Sequence, residues 1–417
     1  MRVVFIGPFG LRVKGTMNWR ALPMGKALAA RGHQVDIILP PWDCPEDSGR
    51  GWTEEGVGVH HIALPPRFPL LFHLLVTWRL VRRALALKPD VIHCFKPKAY
   101  AGLSAVAIWF LQSLGWTKVR LVVDSDDREG WGGWNEIGGY TWTQKRFFAW
   151  QERWGLTHCD AVTVASRTLQ TLAWSLGVTP KRVFYVPNGA NLQSPIAIRH
   201  SPFVIRHSPF TVLLYTRFFE FQAERVIEVF ERVAAEEPEV RFLVVGKGFS
   251  GEEEKLLGLA SQRGWADRMV YAGWVEPTEL PRYLAAADVA IYPLDDHLLN
   301  RARCSAKLVD LMAAGLAIVA EDVGQSREYI EHGRSGLLVK AGDTEALARC
   351  VVRLLRDTSL CEALGNEARR RVGEGFAWER LVERIERAYS VDGNFTFPKA
   401  PVRSFREGLL LQKGRDQ

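Results

Sequence analysis

The chain has 417 residues, 47% of them hydrophobic and 24% charged, with a formal net charge of +7. That length is enough for two domains with their own cores, and the composition excludes a disordered or fibrous chain. The positive charge suits anionic partners, yet no basic run exceeds Arg369-Arg370-Arg371, so a nucleic-acid groove is not expected.

RVVFIG at the N-terminus reads directly as a strand, without the charged region and long apolar core of a secretory leader. A loop with Gly10 and Gly15 follows, then a helix through Met24–Arg31. GHQVDIILP, VGVHHIAL, PDVIHCF, VRLVVD, DAVTVAS and RVFYVPNG read as further strands, with a helical pattern at Leu103–Leu114. The apolar run from Ala99 to Leu111 is too short to span a bilayer and reads as a buried helix. From FTVLLYT the pattern restarts: helix ERVIEVFERVAAEEP, then strands VRFLVVG, RMVYAGW, ADVAIYP, LAIVAE and SGLLV. This alternation predicts an α/β chain of two doubly wound parallel-sheet domains. Their expected extents are residues 1–190 and 211–376, with a linker at 191–210 and a final helix and tail at 377–417. The linker carries a short repeat, IRHSPF, at Ile198–Phe203 and Ile205–Phe210, too few copies for a solenoid. The six cysteines are scattered without a C-x-x-C pair, which argues against a zinc site and fits a reducing cytoplasm.

The segment RARCSAKLVDLMAAGLAIVAEDVGQSREYIEHGRSGLLV holds the most chemistry. Ser305 is an expected N-cap, Leu308, Leu311 and Met312 have helical spacing, and Gly315 ends the pattern. Such a helix start can hold a phosphate. Lys307 and Asp310 fall on one helix face, where they can meet a ligand or simply pair with each other. Arg217, at the end of FTVLLYT, can bind a diphosphate in two-pronged fashion and stabilise a leaving group.

A second constellation is Asp124-Ser125-Asp126-Asp127, followed by a run of glycines with Trp131 and Trp134. Carboxylates at this spacing can hold a divalent metal, or Asp126 or Asp127 can take a hydroxyl proton. Indoles stack on sugar faces, so Trp131 and Trp134 are expected to bind an acceptor. The aromatic, basic stretches Phe68–Arg83 and Tyr140–Trp154 could rest on an anionic membrane or pack as ordinary helices with snorkelling cations.

The segment around Ser305–Asp310 resembles the donor-site signature of the retaining family 4 glycosyltransferases, and the resemblance extends over roughly residues 1–390. It implies the GT-B fold, two Rossmann-like domains facing a central cleft. It also implies an enzyme, a hexosyl-type glycosyltransferase with no cofactor and no metal. The substrates implied are a nucleoside-diphosphate sugar, UDP- or GDP-linked first, and a glycan or lipid-linked acceptor. By the same resemblance Asp310 grips the ribose, Gly15 and Thr16 border the diphosphate, and the backbone at Trp274-Val275 meets the base. Asp126 or Asp127 stands about where the family has a catalytic-site histidine. The final helix is expected to return to the first domain, and the enzyme to work in the cytoplasm or at the inner membrane face. The chain departs from the family in two places. Ala302 stands where a second glutamate is usual, and the lysine usually paired with Arg217 is missing near Gln222, with Lys247 or Lys307 as substitutes. Those departures favour one rival, a non-catalytic GT-B protein that binds a nucleotide or glycan, and the carboxylate spacing leaves another, a metal-dependent transferase using Asp124 and Asp126.

Overall fold

The computed structural model describes residues 1–12, 15–68, 71–190, 210–264 and 267–390. Residues 191–209, which hold the IRHSPF repeat up to Pro209 and all of the expected linker but Phe210, and the tail beyond 390 lie outside the described residues.

The first sheet has eight strands: β1 (Arg2–Ile6), β2 (Gln34–Leu39), β3 (Gly51–Glu54), β4 (Val57–His61), β5 (Val91–Phe95), β6 (Arg120–Ser125), β7 (Ala161–Val164) and β8 (Val183–Tyr185). Their order is β3-β4-β2-β1-β5-β6-β7-β8, and all pairings are parallel except β3 with β4. The second sheet comprises β9 (Thr211–Tyr215), β10 (Arg241–Val245), β11 (Met269–Gly273), β12 (Val289–Tyr292), β13 (Ala317–Glu321) and β14 (Leu337–Val339). It is wholly parallel, in the order β11-β10-β9-β12-β13-β14. Central strands such as β1 and β13 are continuous apolar runs because helices cover both of their faces. The sheets are therefore two doubly wound, Rossmann-like units whose carboxyl edges supply the loops used below.

Of the hairpin β3–β4, the sequence reading contains β4, within VGVHHIAL, but not β3. In β3, half-buried Trp52 and Glu54 alternate with exposed Gly51 and Thr53 on the sheet edge, so no apolar run marks it, and the Glu55-Gly56 turn to β4 takes φ +45° and +83°.

After the second sheet the chain comes back. The helix Trp378–Ser390 buries Trp378, Leu381, Val382, Ile385, Ala388 and Tyr389, one stripe at helical spacing, in the core of the first sheet beside Val3 and Phe5. Tyr389 Oη meets His93 Nδ1 at 2.9 Å, and Glu386 binds Arg31 at 2.8 Å. Leu381 is fully buried there. Leu381→Ala is expected to lower the stability of the first sheet by about 2–5 kcal/mol. Denaturant unfolding followed by fluorescence would check this, and a loss below about 0.5 kcal/mol would refute the packing role.

Candidate functional site

The second sheet's part begins where β9 ends. Glu220 is buried and accepts from Thr216 Oγ1 (2.9 Å), from the Arg217 backbone N–H (3.0 Å) and from Arg303 Nη1 (2.9 Å). These bonds fold Thr216–Glu220 into a tight loop in which Phe218 takes φ +68°, a strained value for a phenylalanine. Gly246, after β10, is required beside it: a Cβ there would lie 1.9 Å from the Thr216 carbonyl oxygen.

From Glu220 a chain of hydrogen bonds runs to the helix Ala306–Ala313. Arg303 Nη2 donates to Tyr292 Oη (2.8 Å), Tyr292 donates to Ser305 Oγ, and Ser305 caps the helix by accepting from Leu308 N (3.2 Å). Ser305 is thus the N-cap that the sequence indicates. Its hydroxyl is buried and occupied, so a ligand would meet the helix start rather than the serine oxygen.

Arg217 stands over aromatic faces, 4.1 Å from the Phe249 centroid and 5.7 Å from that of Trp274. Its Nε is buried without a hydrogen-bond partner, as is that of Arg303. Lys307 is half-buried, 5.3 Å from the Tyr215 centroid. Burial pulls its pKa down to about 8, with Glu220 opposing and Arg303 and Arg217 reinforcing. Asp310 is also half-buried, and burial lifts its carboxyl to about 7 against the pull of Lys307. Arg217, Arg303, Lys307 and Asp310 therefore share one pocket. Lys247 is exposed, whereas Lys307 is half-buried and feels the charge of Arg217, so Lys307 is the lysine that stands with it. Val275 is half-buried against the second core.

Ala302 is buried, and its carbonyl accepts from Ser166 Oγ across the cleft (2.6 Å). Its methyl group packs into the first sheet's core, so this position brings no carboxylate to the pocket.

The first sheet's part lies after β6. Asp124 is completely buried and held by Arg20 through two bonds of 2.7 Å, with Thr163 Oγ1 at 2.5 Å. Burial works against its charge, and the Arg20 guanidinium overrides that and keeps the carboxyl below its usual range. Both oxygens are taken, which corrects the reading of Asp124 and Asp126 as a metal pair. Asp126 accepts from Thr16 Oγ1 (3.0 Å), which ties the Gly15-Thr16 helix start to it.

Asp126, Asp127 and Glu129 do offer oxygens within 4.8 Å of one another, a spacing a metal could use. Lys96 Nζ already fills their centre, 3.1, 2.7 and 2.8 Å from the three carboxylates. Lys98 adds a bond to Glu129 at 3.0 Å. Burial lifts Asp126 to about 7, with Lys96 opposing and Asp127 reinforcing. The backbone that delivers Lys96 is itself strained, with φ +58° at Lys96 and +49° at Ala99.

Trp131 is half-buried, and its carbonyl accepts from Arg128 Nε (3.2 Å). Trp134 departs from the expectation of an open acceptor platform. Its ring crosses to the second sheet's loops, 5.3 Å from Phe219 and 5.6 Å from Phe249, and its Nε1 is buried without a partner. Phe249 is the ring beneath Arg217, so Trp134 belongs with the arginine pocket. Below it the two halves join through Gln325 Nε2 to the Ala165 carbonyl (2.5 Å), Tyr185 Oη to Glu328 (2.6 Å) and Tyr329 Oη to the Asn188 carbonyl (2.8 Å).

Sequence reasoning missed Arg303, Lys96 and Arg20. No local pattern marks any of them, because each owes its place to carboxylates far along the chain.

Comparison with known proteins supplies the family and the fold. A family model described as a glycosyl transferase 4-like domain matches residues 15–189, and one described as glycosyl transferases group 1 matches residues 210–357. A phosphatidyl-myo-inositol mannosyltransferase of Mycobacterium leprae is 25% identical over 399 residues, covering 93% of this chain and 96% of that protein. An uncharacterized glycosyltransferase of Methanocaldococcus jannaschii is 23% identical over 408 residues, covering 91% and 95%. Among solved structures, sucrose-phosphate synthase from Thermosynechococcus elongatus superposes with a TM-score of 0.70 at 22% identity, over 93% of this chain and 98% of that one. Anabaena HepE in complex with UDP and glucose gives 0.67 at 17% identity, over 93% and 99%. The solved structures bear on the fold alone. With glycosyltransferase models matching both sheets' sequences, the chain belongs to the group 1, family 4-type glycosyltransferases and is a transferase of GT-B fold.

Proposed function

We propose that this enzyme moves a hexosyl group from a UDP- or GDP-linked sugar to a glycan or lipid-linked acceptor, with retention and without a metal. One observation carries the reading. Arg217, Arg303 and Lys307 outnumber Glu220 and Asp310 in one pocket, and the Nε atoms of both arginines are buried without a partner. Such a pocket favours a diphosphate, whose charge grows as the glycosidic bond breaks. Fixed cations do there the electrostatic work that a metal does elsewhere. Asp310 would accept from the ribose hydroxyls. The donors named for relatives, GDP-mannose and UDP-glucose, support the choice of nucleotides to test.

Asp126 sits across the cleft, buried and close to neutrality in its ionisation, suited to bind the transferred sugar or the acceptor hydroxyl. Front-face attack, with the departing phosphate taking the acceptor's proton, is the route the family resemblance implies. A non-catalytic binding role is the rival, and Ala302 is its main support.

The donor reading predicts a thermal shift with one of UDP, GDP or their sugar conjugates, unchanged by EDTA. Asp310→Ala and Arg217→Ala should each weaken that nucleotide by about 10- to 100-fold. No shift with any of these nucleotides would favour the non-catalytic role.

The pH dependence follows from the same pair. Lys307 loses its charge as pH rises through about 8, and Asp310 loses its charge as pH falls through about 7. Nucleotide affinity should therefore peak between those values, with Lys307→Met removing the alkaline limb and Asp310→Asn the acid limb. Calorimetric titration across pH would test this, and a flat profile in the wild type would refute it.

We also propose that the first sheet's helices rest on the cytoplasmic face of an anionic membrane. No helix among the described residues is long and apolar enough to cross one. On the neighbouring helices Leu71–Ala86, Ala99–Ser113 and Trp142–Thr157, Trp78 is 53% exposed and Trp142 is 62% exposed, with Leu74, Phe110 and Trp150 also outward. The first two helices contain no acidic residue, and the third has only Glu152, buried against Arg128. Arg79, Arg82, Arg83, Lys145, Arg146 and Arg153 supply the charge. Outward aromatics favour this over simple core packing. The free state of all six cysteines supports a reducing compartment. Sedimentation with phosphatidylglycerol vesicles should capture the wild type, and Trp78→Ser with Trp142→Ser should lower capture about tenfold. Equal binding to phosphatidylcholine vesicles, or none to either, would rule this out.

A further inference from the structure

A second knot of charge lies on the first sheet, where Lys96 meets the loop after β6. Lys96 follows β5, and its Nζ donates to Asp127 Oδ2 at 2.7 Å and to Glu129 Oε1 at 2.8 Å. Asp126 Oδ1 lies 3.1 Å from the same ammonium, held by charge rather than by a hydrogen bond. Glu129 takes Lys98 on its other oxygen at 3.0 Å. Asp124, at the end of β6, is occupied by Arg20 and Thr163 and leaves Lys96 to the other three. Three carboxylates thus face two ammoniums.

The backbone is bent to make this meeting possible. Lys96 takes φ +58° and Ala99 φ +49°, values that residues with a Cβ keep only where the surroundings impose them. One turn of the helix Trp142–Thr157 imposes both halves. Gln151, fully buried, accepts from Ala99 N at 2.9 Å and donates to the Ala99 carbonyl at 3.0 Å. Glu152 beside it accepts from Glu129 N at 2.9 Å and from Gly130 N at 3.0 Å. Lysine suits the centre, because an ammonium presents three donors around one point and a guanidinium forms a planar fork matched to one carboxylate. Burial opposes the Lys96 charge, and Asp126, Asp127 and Glu129 outweigh it and keep the ammonium protonated. Without that ammonium the three carboxylates would be left with Lys98 alone, and their repulsion would drive them apart. Asp126 also accepts from Thr16 Oγ1, so its displacement would reach the Gly15-Thr16 helix start.

We infer that Lys96 is the positioning residue of the first wall, its ammonium holding Asp126, Asp127 and Glu129 together and so fixing Asp126 where it can meet the transferred sugar or the acceptor hydroxyl. The inference rests on the transferase reading for what Asp126 does; the requirement for a positive charge at Lys96 is independent of it. Lys96 touches no substrate and works through Asp126. Among the described residues this is the one group with metal-like spacing, and its centre is taken by a cation that belongs to the chain.

Chemical rescue on the full chain tests this. Lys96→Ala removes the side chain from Cγ outward, a fragment the size of n-propylammonium. The probe is therefore n-propylammonium chloride, with sodium chloride and n-propanol as controls for salt and for filling alone. Lys96→Ala should melt about 5 °C below the wild type. The ammonium should return about half of that loss and n-propanol none, and the wild type should respond to neither. Lys96→Met with Asp127→Asn restores the wild type's surplus of one carboxylate. It should be more stable than Lys96→Met alone, which guards against a general folding defect. The role in the reaction is read as nucleotide release from UDP-glucose or GDP-mannose, whichever shifts the wild type. Lys96→Ala should lower kcat about tenfold with KM for the donor within about twofold, and n-propylammonium should raise kcat again. Equal rescue by n-propanol, no rescue by n-propylammonium, or wild-type kcat in Lys96→Met would overturn the inference. Failure of the transferase reading shows separately, as no shift of the wild type with any nucleotide. It would remove the positioning role and leave the melting readout to decide the charge requirement.

Discussion

Much of the arginine pocket depends on one buried carboxylate. Burial opposes the charge of Glu220, and Arg303 and Lys307 overcome it and hold the group ionised. That single anion folds the loop after β9, fixes Arg303, and through Arg303 and Tyr292 positions the cap of the Ala306–Ala313 helix. Replacing it with a neutral residue would leave a buried guanidinium uncompensated, an error that typically costs several kcal/mol. The same charge balances part of the cationic excess. Without it, Lys307 would lose the main group that favours its protonated form.

The two sides of the cleft handle charge differently. Beside the arginine pocket the Nε groups of Arg217 and Arg303 and the indole N–H of Trp134 are buried donors without hydrogen-bond partners, with the Asn300 Oδ1 acceptor nearby. Across the cleft the Lys96 ammonium is enclosed by three carboxylates, so its charge is already met within the protein. A diphosphate, which only accepts, suits the first of these surroundings better than the second.

The fold was legible because strands buried on both faces announce themselves as apolar runs, as β1 and β13 do. The edge strand β3 was not, since an exposed edge strand leaves only a weak alternation. In the site, local chemistry was readable. The Ser305 cap and Arg217 at a strand end follow from neighbours in sequence. Arg303, Lys96 and Arg20 were not, because their partners stand 83, 31 and 104 residues away. Their meaning exists only after folding. Trp134 shows a third limit. Its residue type indicated stacking, but which wall it serves is decided by Phe219 and Phe249 on another sheet.

The returning helix Trp378–Ser390 has a consequence for how the molecule is made. The first sheet's strands leave the ribosome early, yet part of their core is supplied by side chains made after the whole second sheet. The second unit has its own strands and helices in hand by then and can close first. The first unit keeps apolar surface uncovered until residues 378–390 have been made. The order of completion therefore runs opposite to the order of synthesis, and the unit with the outward aromatics is the last to become whole.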